Sequence, residues 1–402
     1  MQLRQSKSGT RWVIALALFA ALLSFAKFDH CRNFGWGSPD VYTHACYSDL
    51  PALYEARDLT HHGWPYSSAT NAVEYPPITG VVMWATTYLV GHHINDLRYF
   101  DINALLIALL FVGTVWLIFR MRPEHWYLLP LSPAVIASLY INWDLWAVIS
   151  AIASIYLFDK KRYEWSGIAL ALSISTKFFP IVLLLPIAAI FIRSGAIKKL
   201  ASYLAITIGS WLIINMPFIL TTPHGWWRFF AMNSSRGVDW GSIWYLLSQW
   251  RVSMGALNIY SLLLFAAGAL GYFAHLLAKK QHPTLAQASF VIVAIFTLAS
   301  KVYSPQYVLW LAPLAVLALR RDPRDRIYFW FWQATELAYH LAIWEFLATQ
   351  SGARFGAPAW IYQGLTALRI VGLGVFAWHL TRERGLSTAE NDPQLTEFPS
   401  LA

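Results

Sequence analysis

The chain has 402 residues, of which 57% are hydrophobic and only 13% charged, and its formal net charge is +9. An ordinary soluble domain is about a quarter charged, so this composition, with a mean hydropathy of +0.45, excludes a typical soluble enzyme and points to an all-α polytopic membrane protein. In such a protein surplus Lys and Arg report topology and anionic lipid rather than nucleic acid, and no basic–aromatic nucleic-acid module is visible.

In chain order, the apolar stretches predict about 12 transmembrane helices, over residues 12–28, 101–119, 127–141, 145–158, 165–176, 178–192, 200–221, 256–278, 285–300, 306–319, 327–348 and 361–380. The first lacks a small-residue cleavage site and reads as a retained helix rather than a signal peptide. The basic clusters that separate the spans hold 19 of the 30 Lys and Arg. By the positive-inside rule they place both termini in the cytoplasm of a plasma-membrane protein. Residues 1–386 form one integral-membrane domain without a transporter-like internal repeat, and the polar residues 387–402 read as a disordered cytoplasmic tail.

This topology puts residues 29–100 outside, as one long loop. It holds both cysteines, Cys31 and Cys46. An oxidising exterior makes them candidates for a disulfide, with two unpaired thiols as the alternative. The chain must still be outside at residue 101, so the apolar stretch 76–92 cannot cross. It reads as a re-entrant or interfacial helix led by Pro76 and Pro77, about 21 Å long and short of the ~30 Å hydrocarbon core.

The unusual ionisable residues then gather on the outer side: Asp40, Asp49, Glu55, Arg57, Asp58, His61, His62, Glu74, Asp144, Lys177, Arg228, Arg236, Asp239 and Lys301. Charges at a membrane are functional candidates by default, although Asp40, Glu55, Asp58 and Arg354 read as solvated loop charges. Asp49 opens "DLPALY" ahead of an apolar stripe of Leu50, Leu53 and Tyr54. It is either a general base or a helix N-cap, and these roles are compatible. Lys177 lies in the apolar "ISTKFFPIVLLLP" and demands an anion, a phosphate or Asp144, unless it snorkels. Lys301 repeats the situation in "ASKVYSPQYVLW". Two cations at one outer cavity suit a phosphate. The pairs His61–His62 and His92–His93 lack metal-ligand spacing, so no metal is expected. No D-x-D pair, Walker loop, usable G-x-G-x-x-G or G-x-S-x-G appears either, which argues against a cytosolic nucleotide donor and for a polyprenyl-phosphate-linked one.

"YSDLPALYEARDL", "GWPY" and "VEYPPITG" together resemble the first outer loop of the polyprenol-phosphate-dependent glycosyltransferases of family 87, which have the GT-C fold. "NWDLWAV", "STKFFPIVLLLP" and "YSPQYVLWLAPL" resemble later helices of the same family. Actinobacterial members include phosphatidylinositol-mannoside mannosyltransferases. The resemblance implies inverting transfer of a sugar, mannose in the first instance, from a polyprenyl-phosphate donor to a glycolipid or polysaccharide acceptor at the outer face, with no cofactor. It implies Asp49 as general base. Lys177, Lys301 and Arg57 are then expected at the donor phosphate, and Glu74, Tyr75, Asp144 and His61 around the sugars. Membrane phospholipids would be the remaining partners. An arabinofuranosyltransferase using polyprenyl-phospho-arabinose and a lipid-linked sugar transporter are the alternatives. Transporters place their sites at the membrane midplane, often between repeats.

Overall fold

The computed structural model describes residues 7–382 except 69, 92, 93, 251 and 279–282. The polar tail 387–402, the pair His92–His93 and the cations Arg4, Lys279, Lys280 and Arg384, expected on the inner side, lie outside the described residues. Among those described the fold is entirely helical, without a strand.

The helix α1 (Lys7–Lys27) leads into three short helices, α2 (Asp29–Phe34), α3 (Asp40–Thr43) and α4 (Asp49–Ala56). Cys31 of α2 and Cys46, just past α3, form a disulfide with their Cα atoms 6.0 Å apart. Then follow α5 (Pro77–Val90), α6 (Asp96–Met121), α7 (Leu128–Leu131) and α8 (Pro133–Ser138). The expected span 127–141 is thus two short pieces. Pro133 at the start of α8 has no N–H for α7 to continue through, and Ser132 between them is extended.

The antiparallel pair α9 (Asp144–Asp159) and α10 (Tyr163–Thr176) is held by reciprocal bonds: Ser154 Oγ donates to Ser166 O at 2.9 Å, and Ser166 Oγ donates to Ser154 O at 2.8 Å. Next come α11 (Leu184–Arg193), entered through a 3₁₀ turn at Phe179–Leu183, then α12 (Ile197–Thr221), α13 (Pro223–Ser235), α14 (Ile243–Gln249) and α15 (Leu257–Ala278). The last four are α16 (Leu285–Ala299), α17 (Val308–Ala318), α18 (Pro323–Gln350) and α19 (Ala359–Thr381).

Among the described residues, five helices are long and apolar enough to cross a membrane: α1 from Gly9 onward, α6, α12, α15 and α19. Their outward faces stay apolar. Ile213 and Leu220 on α12 and Leu262 and Leu270 on α15 are all more than 60% exposed. Such a surface would be a liability in water and is the natural one in lipid. At the other extreme every residue of α17 is buried. A helix apolar all round belongs in a core, and the shorter helices pack around this one.

The position of α5 follows from its partners. Near its start Thr79 Oγ1 donates to Thr176 O at the end of α10. Midway, Tyr99 of α6 donates to Met83 O, and Asn103 Nδ2 donates to Thr86 Oγ1. Near its end Thr87 Oγ1 bonds His62 Nδ1 in the loop before it. Asn103 also accepts from Trp143 Nε1, next to the start of α9. The 14-residue α5 therefore touches one end of the bundle along its whole length.

Candidate active site

A cavity of about 690 Å³ opens where α4, the segment before α5, the start of α9 and the end of α10 meet. Nearly every polar group on it comes from a helix terminus or a connecting loop, where backbone groups and side chains are free of the helical ladder.

Asp49 is the first residue of α4. Ser48 is the N-cap, its Oγ accepting from Leu50 N at 3.2 Å while donating to Tyr140 O at 2.7 Å. The capping role open to Asp49 in the sequence is thus taken by its neighbour, and the Asp49 carboxylate is free to face the cavity. Leu50 and Tyr54, one helical turn apart, are buried beneath it. Asp49 N donates to Ile141 O at 2.7 Å, which bolts the start of α4 to the segment before α9. Tyr47 Oη donates to Asp49 Oδ1 at 2.9 Å. Burial pushes the Asp49 carboxyl up to about 6, against the Tyr47 hydrogen bond and the Lys177 charge that hold it down; the Asp144 charge adds a further upward push. Tyr47 is raised by the Asp49 charge and by burial, and Tyr75 by burial and then by the Asp49 charge, so both stay neutral phenols able to donate.

Lys177 and Asp144 meet where α10 ends and α9 begins, with Lys177 Nζ 2.7 Å from Asp144 Oδ1. Asp144 is fully buried. As the first residue of α9 it profits from the positive end of that helix. Lys177 Nζ also lies 4.5 Å from the Tyr75 ring centroid and 5.9 Å from that of Trp310. The far wall is aromatic: Phe179 stacks on Trp310 at 4.2 Å, and Trp310 on Tyr307 at 3.7 Å. Phe229 and Phe230 of α13 close the side next to Phe178. The ion pair of Arg236 with Asp239 stands at the rim.

Glu74 and Tyr75 enter from the strap before α5. Tyr66 fixes that strap, donating to the carbonyls of Tyr75 at 3.0 Å and Pro76 at 2.9 Å. The close approach needs glycine on both sides. A Cβ at Gly80 would lie 2.1 Å from Tyr66 Oη, and one at Gly225 would lie 1.9 Å from Tyr66 O.

Asp49, Glu74, Tyr75 and Lys177 thus line one cavity, with Asp144 behind Lys177. Three expected site residues do not. Arg57 is taken up by Glu74 in a two-pronged pair, Nε–Oε2 at 2.5 Å and Nη2–Oε1 at 2.8 Å, and stays off the cavity wall. Its fork matches a carboxylate already present in the loop, so it is not a spare phosphate ligand. His61 is exposed at the end of a 3₁₀ turn, away from the cavity. Lys301 donates to Asn233 O at 2.7 Å, to Arg236 O at 2.9 Å and to Asn258 Oδ1. It caps the open carbonyls at the end of α13 instead of joining Lys177. The two-cation cradle is therefore reduced to Lys177, with Arg236 at the rim.

Three site features were not anticipated. Tyr47 and Asn142 line the cavity beside Asp49, inside the stretches "CYSDLP" and "NWDLW", but an uncharged phenol and amide carry no burial cost that would single them out. The third is the fully buried pair of Arg369 on α19 and Glu336 on α18, with Nε–Oε2 at 2.7 Å. Arg369 also donates to Tyr303 O at 2.6 Å and Ser304 O at 2.9 Å. It thereby sets the loop that delivers Tyr307 and Gln306 to the cavity. Here a signal existed, because charges inside apolar spans are candidates by position. Comparison with protein-family models and with curated proteins finds no match for this chain.

Proposed function

We propose that the protein is a membrane glycosyltransferase that moves a sugar, mannose in the first instance, from a polyprenyl-phosphate donor to a hydroxyl of a lipid or glycan acceptor. The observation that carries this reading is the Asp49 carboxylate. It is half-buried, relieved of capping, held by Tyr47, and placed with Lys177 in a cavity walled on the other side by aromatic rings. Carboxylates and phenols suit sugar hydroxyls, and stacked aromatic faces suit sugar C–H edges and an isoprenoid chain.

In the reaction the acceptor hydroxyl oxygen attacks the anomeric carbon as the bond from that carbon to the phosphate oxygen breaks. The hydroxyl proton passes to Asp49, and the electron pair leaves with the phosphate, giving polyprenyl phosphate and an inverted linkage. The leaving group needs charge stabilisation rather than a proton, and Lys177 supplies it from the wall of the cavity. The alternative of a pentose donor shares every step. A transporter is less favoured because the polar groups cluster at helix ends on one side of the bundle, where α4, α9, α10 and the strap before α5 meet.

The same reading places this end of the bundle at the outer face of the plasma membrane, with about twelve crossings, α5 re-entrant and both termini inside. Cysteines introduced at Asn71 and Ile94, which flank α5 and are exposed, should both react with an impermeant maleimide added outside intact cells. Labelling from opposite sides would show that α5 crosses.

The activity is tested by incubating purified protein with polyprenyl-phospho-mannose or polyprenyl-phospho-arabinose and a membrane lipid and glycan extract, with mass spectrometry of the products. A hexose adduct supports the mannose reading and a pentose adduct the alternative. Absence of both with active-site-intact protein contradicts the transferase.

A further inference from the structure

Away from the cavity, three ligand-bearing side chains converge on the outer loop. His30 Nε2 lies 2.6 Å from Asp40 Oδ2, and His44 Nδ1 lies 3.1 Å from Asp40 Oδ1. The three ligand atoms all fall within 4.8 Å of one another. The two imidazoles are stacked, with centroids 3.4 Å apart and planes 9° from parallel. His44 Nδ1 is also 3.2 Å from both Asp40 O and Thr43 Oγ1.

The covalent frame holds these groups together. His30 immediately precedes Cys31 and His44 comes two residues before Cys46, so the Cys31–Cys46 disulfide brings the two histidines face to face. Asp40 and His44 are four residues apart around α3, which places them on one side of that turn. Each oxygen of the Asp40 carboxylate thus faces one imidazole nitrogen.

We propose that His30, Asp40 and His44 form a binding site for a divalent transition-metal ion of the zinc type. Two imidazoles and one carboxylate are a donor set for zinc, copper or nickel, and not for magnesium or calcium, which prefer oxygen ligands. Neighbouring ligands of a tetrahedral zinc stand roughly 3.3 Å apart, given metal–ligand distances near 2.1 Å. The present spacings of 2.6 and 3.1 Å are near that value, and binding requires side-chain rotations that splay the stacked imidazoles until both nitrogen lone pairs meet at one point. Those are cheap here, because His30 is 29%, Asp40 46% and His44 43% exposed. Three protein ligands leave a fourth position to water. The ion would fasten α2 to α3 beside the disulfide, in the segment that runs through Tyr47 to Asp49. The site stands whether or not Asp49 is a catalytic base.

The test uses tag-free, metal-stripped full-length protein in detergent, titrated calorimetrically with zinc chloride alone. The expected result is one saturable site that raises the melting temperature and is lost in both His30→Gln and Asp40→Asn. A His61→Ala/His62→Ala variant should keep it. An isotherm in His30→Gln and Asp40→Asn equal to that of the unmodified protein, or no saturable binding at all, overturns the proposal. X-ray absorption of the zinc-loaded unmodified protein decides independently of how the variants fold. Imidazole scattering from two histidines supports the site, and its absence overturns it.

Discussion

Lys177–Asp144 and Arg369–Glu336 are both buried cation–carboxylate pairs with the same 2.7 Å contact, yet their surroundings differ. Glu336 is saturated. Its Oε2 takes Arg369, and its Oε1 accepts from Trp332 Nε1 at 3.0 Å and from Tyr303 Oη. Arg369 spends its other nitrogens on two carbonyls and sandwiches its guanidinium between the rings of Tyr303 and Tyr339. Among the described residues, neither oxygen of Asp144 has a hydrogen bond beyond the Lys177 contact itself. Lys177 faces rings and cavity. A pair with every valence used holds helices together. A pair with open valences beside a cavity has capacity left for a ligand, and a buried polar group left short of partners is where function is to be sought.

The largest loss of stability is expected at the saturated pair. Arg369→Met leaves Glu336 buried without its cation, and removing one partner of such a pair costs about 3–5 kcal/mol. The melting temperature in detergent should fall steeply, and Arg369→Met/Glu336→Met should recover much of the loss. An Arg369→Met protein that melts normally while losing activity would reverse the roles assigned to the two pairs.

At the open pair the order of effects changes. Lys177→Ala should lower kcat/KM for the donor by a factor equivalent to roughly 1.5–3 kcal/mol, the worth of a charge-assisted bond. Its melting temperature should fall less than that of Arg369→Met, because water from the cavity can reach the vacated space. Unchanged donor kinetics in the folded variant would make Lys177 a structural partner of Asp144 and nothing more.

The smallest effect is a pH dependence. Asp49 takes a proton only when ionised, and burial sets its carboxyl at about 6. Activity should therefore fall about tenfold per pH unit below that value and level off above it. Stability runs the other way. A carboxyl raised by folding favours the folded state at low pH, and that contribution is lost as pH rises from its ordinary value of about 4 through about 6. A flat activity profile between pH 5 and 7, or one that rises on acidification, would remove Asp49 from the base role.

Much of this arrangement was legible in the sequence, for identifiable reasons. Each expected span coincides with helical segments because apolar length and proline placement act locally; Pro76 and Pro77 mark the start of α5, and Pro133 marks the break before α8. Asp49, Lys177 and Asp144 stood out because charge beside apolar sequence is costly wherever it folds. Lys301 stood out for the same reason, and Arg57 as a cation on the expected outer side, and neither joins the cavity as expected. A sequence displays a charge but not its partner. Arg57 finds a carboxylate 17 residues on, and Lys301 finds backbone carbonyls at the end of α13, which every residue possesses and no composition reveals. The His30–Asp40–His44 cluster escaped because its spacing is set by a disulfide and not by one helix face.

If Asp49 accepts the proton in glycosyl transfer, Asp49→Asn removes that step with little change of shape. The amide can still accept from Tyr47 but cannot take a proton, and Ser48 keeps the cap. Turnover with the polyprenyl-phosphate sugar, measured by mass spectrometry of the product, should fall by a factor on the order of 10²–10⁴, while the melting temperature at pH 7.5 does not fall. Near-normal turnover in Asp49→Asn, with Glu74→Gln or Asp144→Asn inactive, would contradict the assignment.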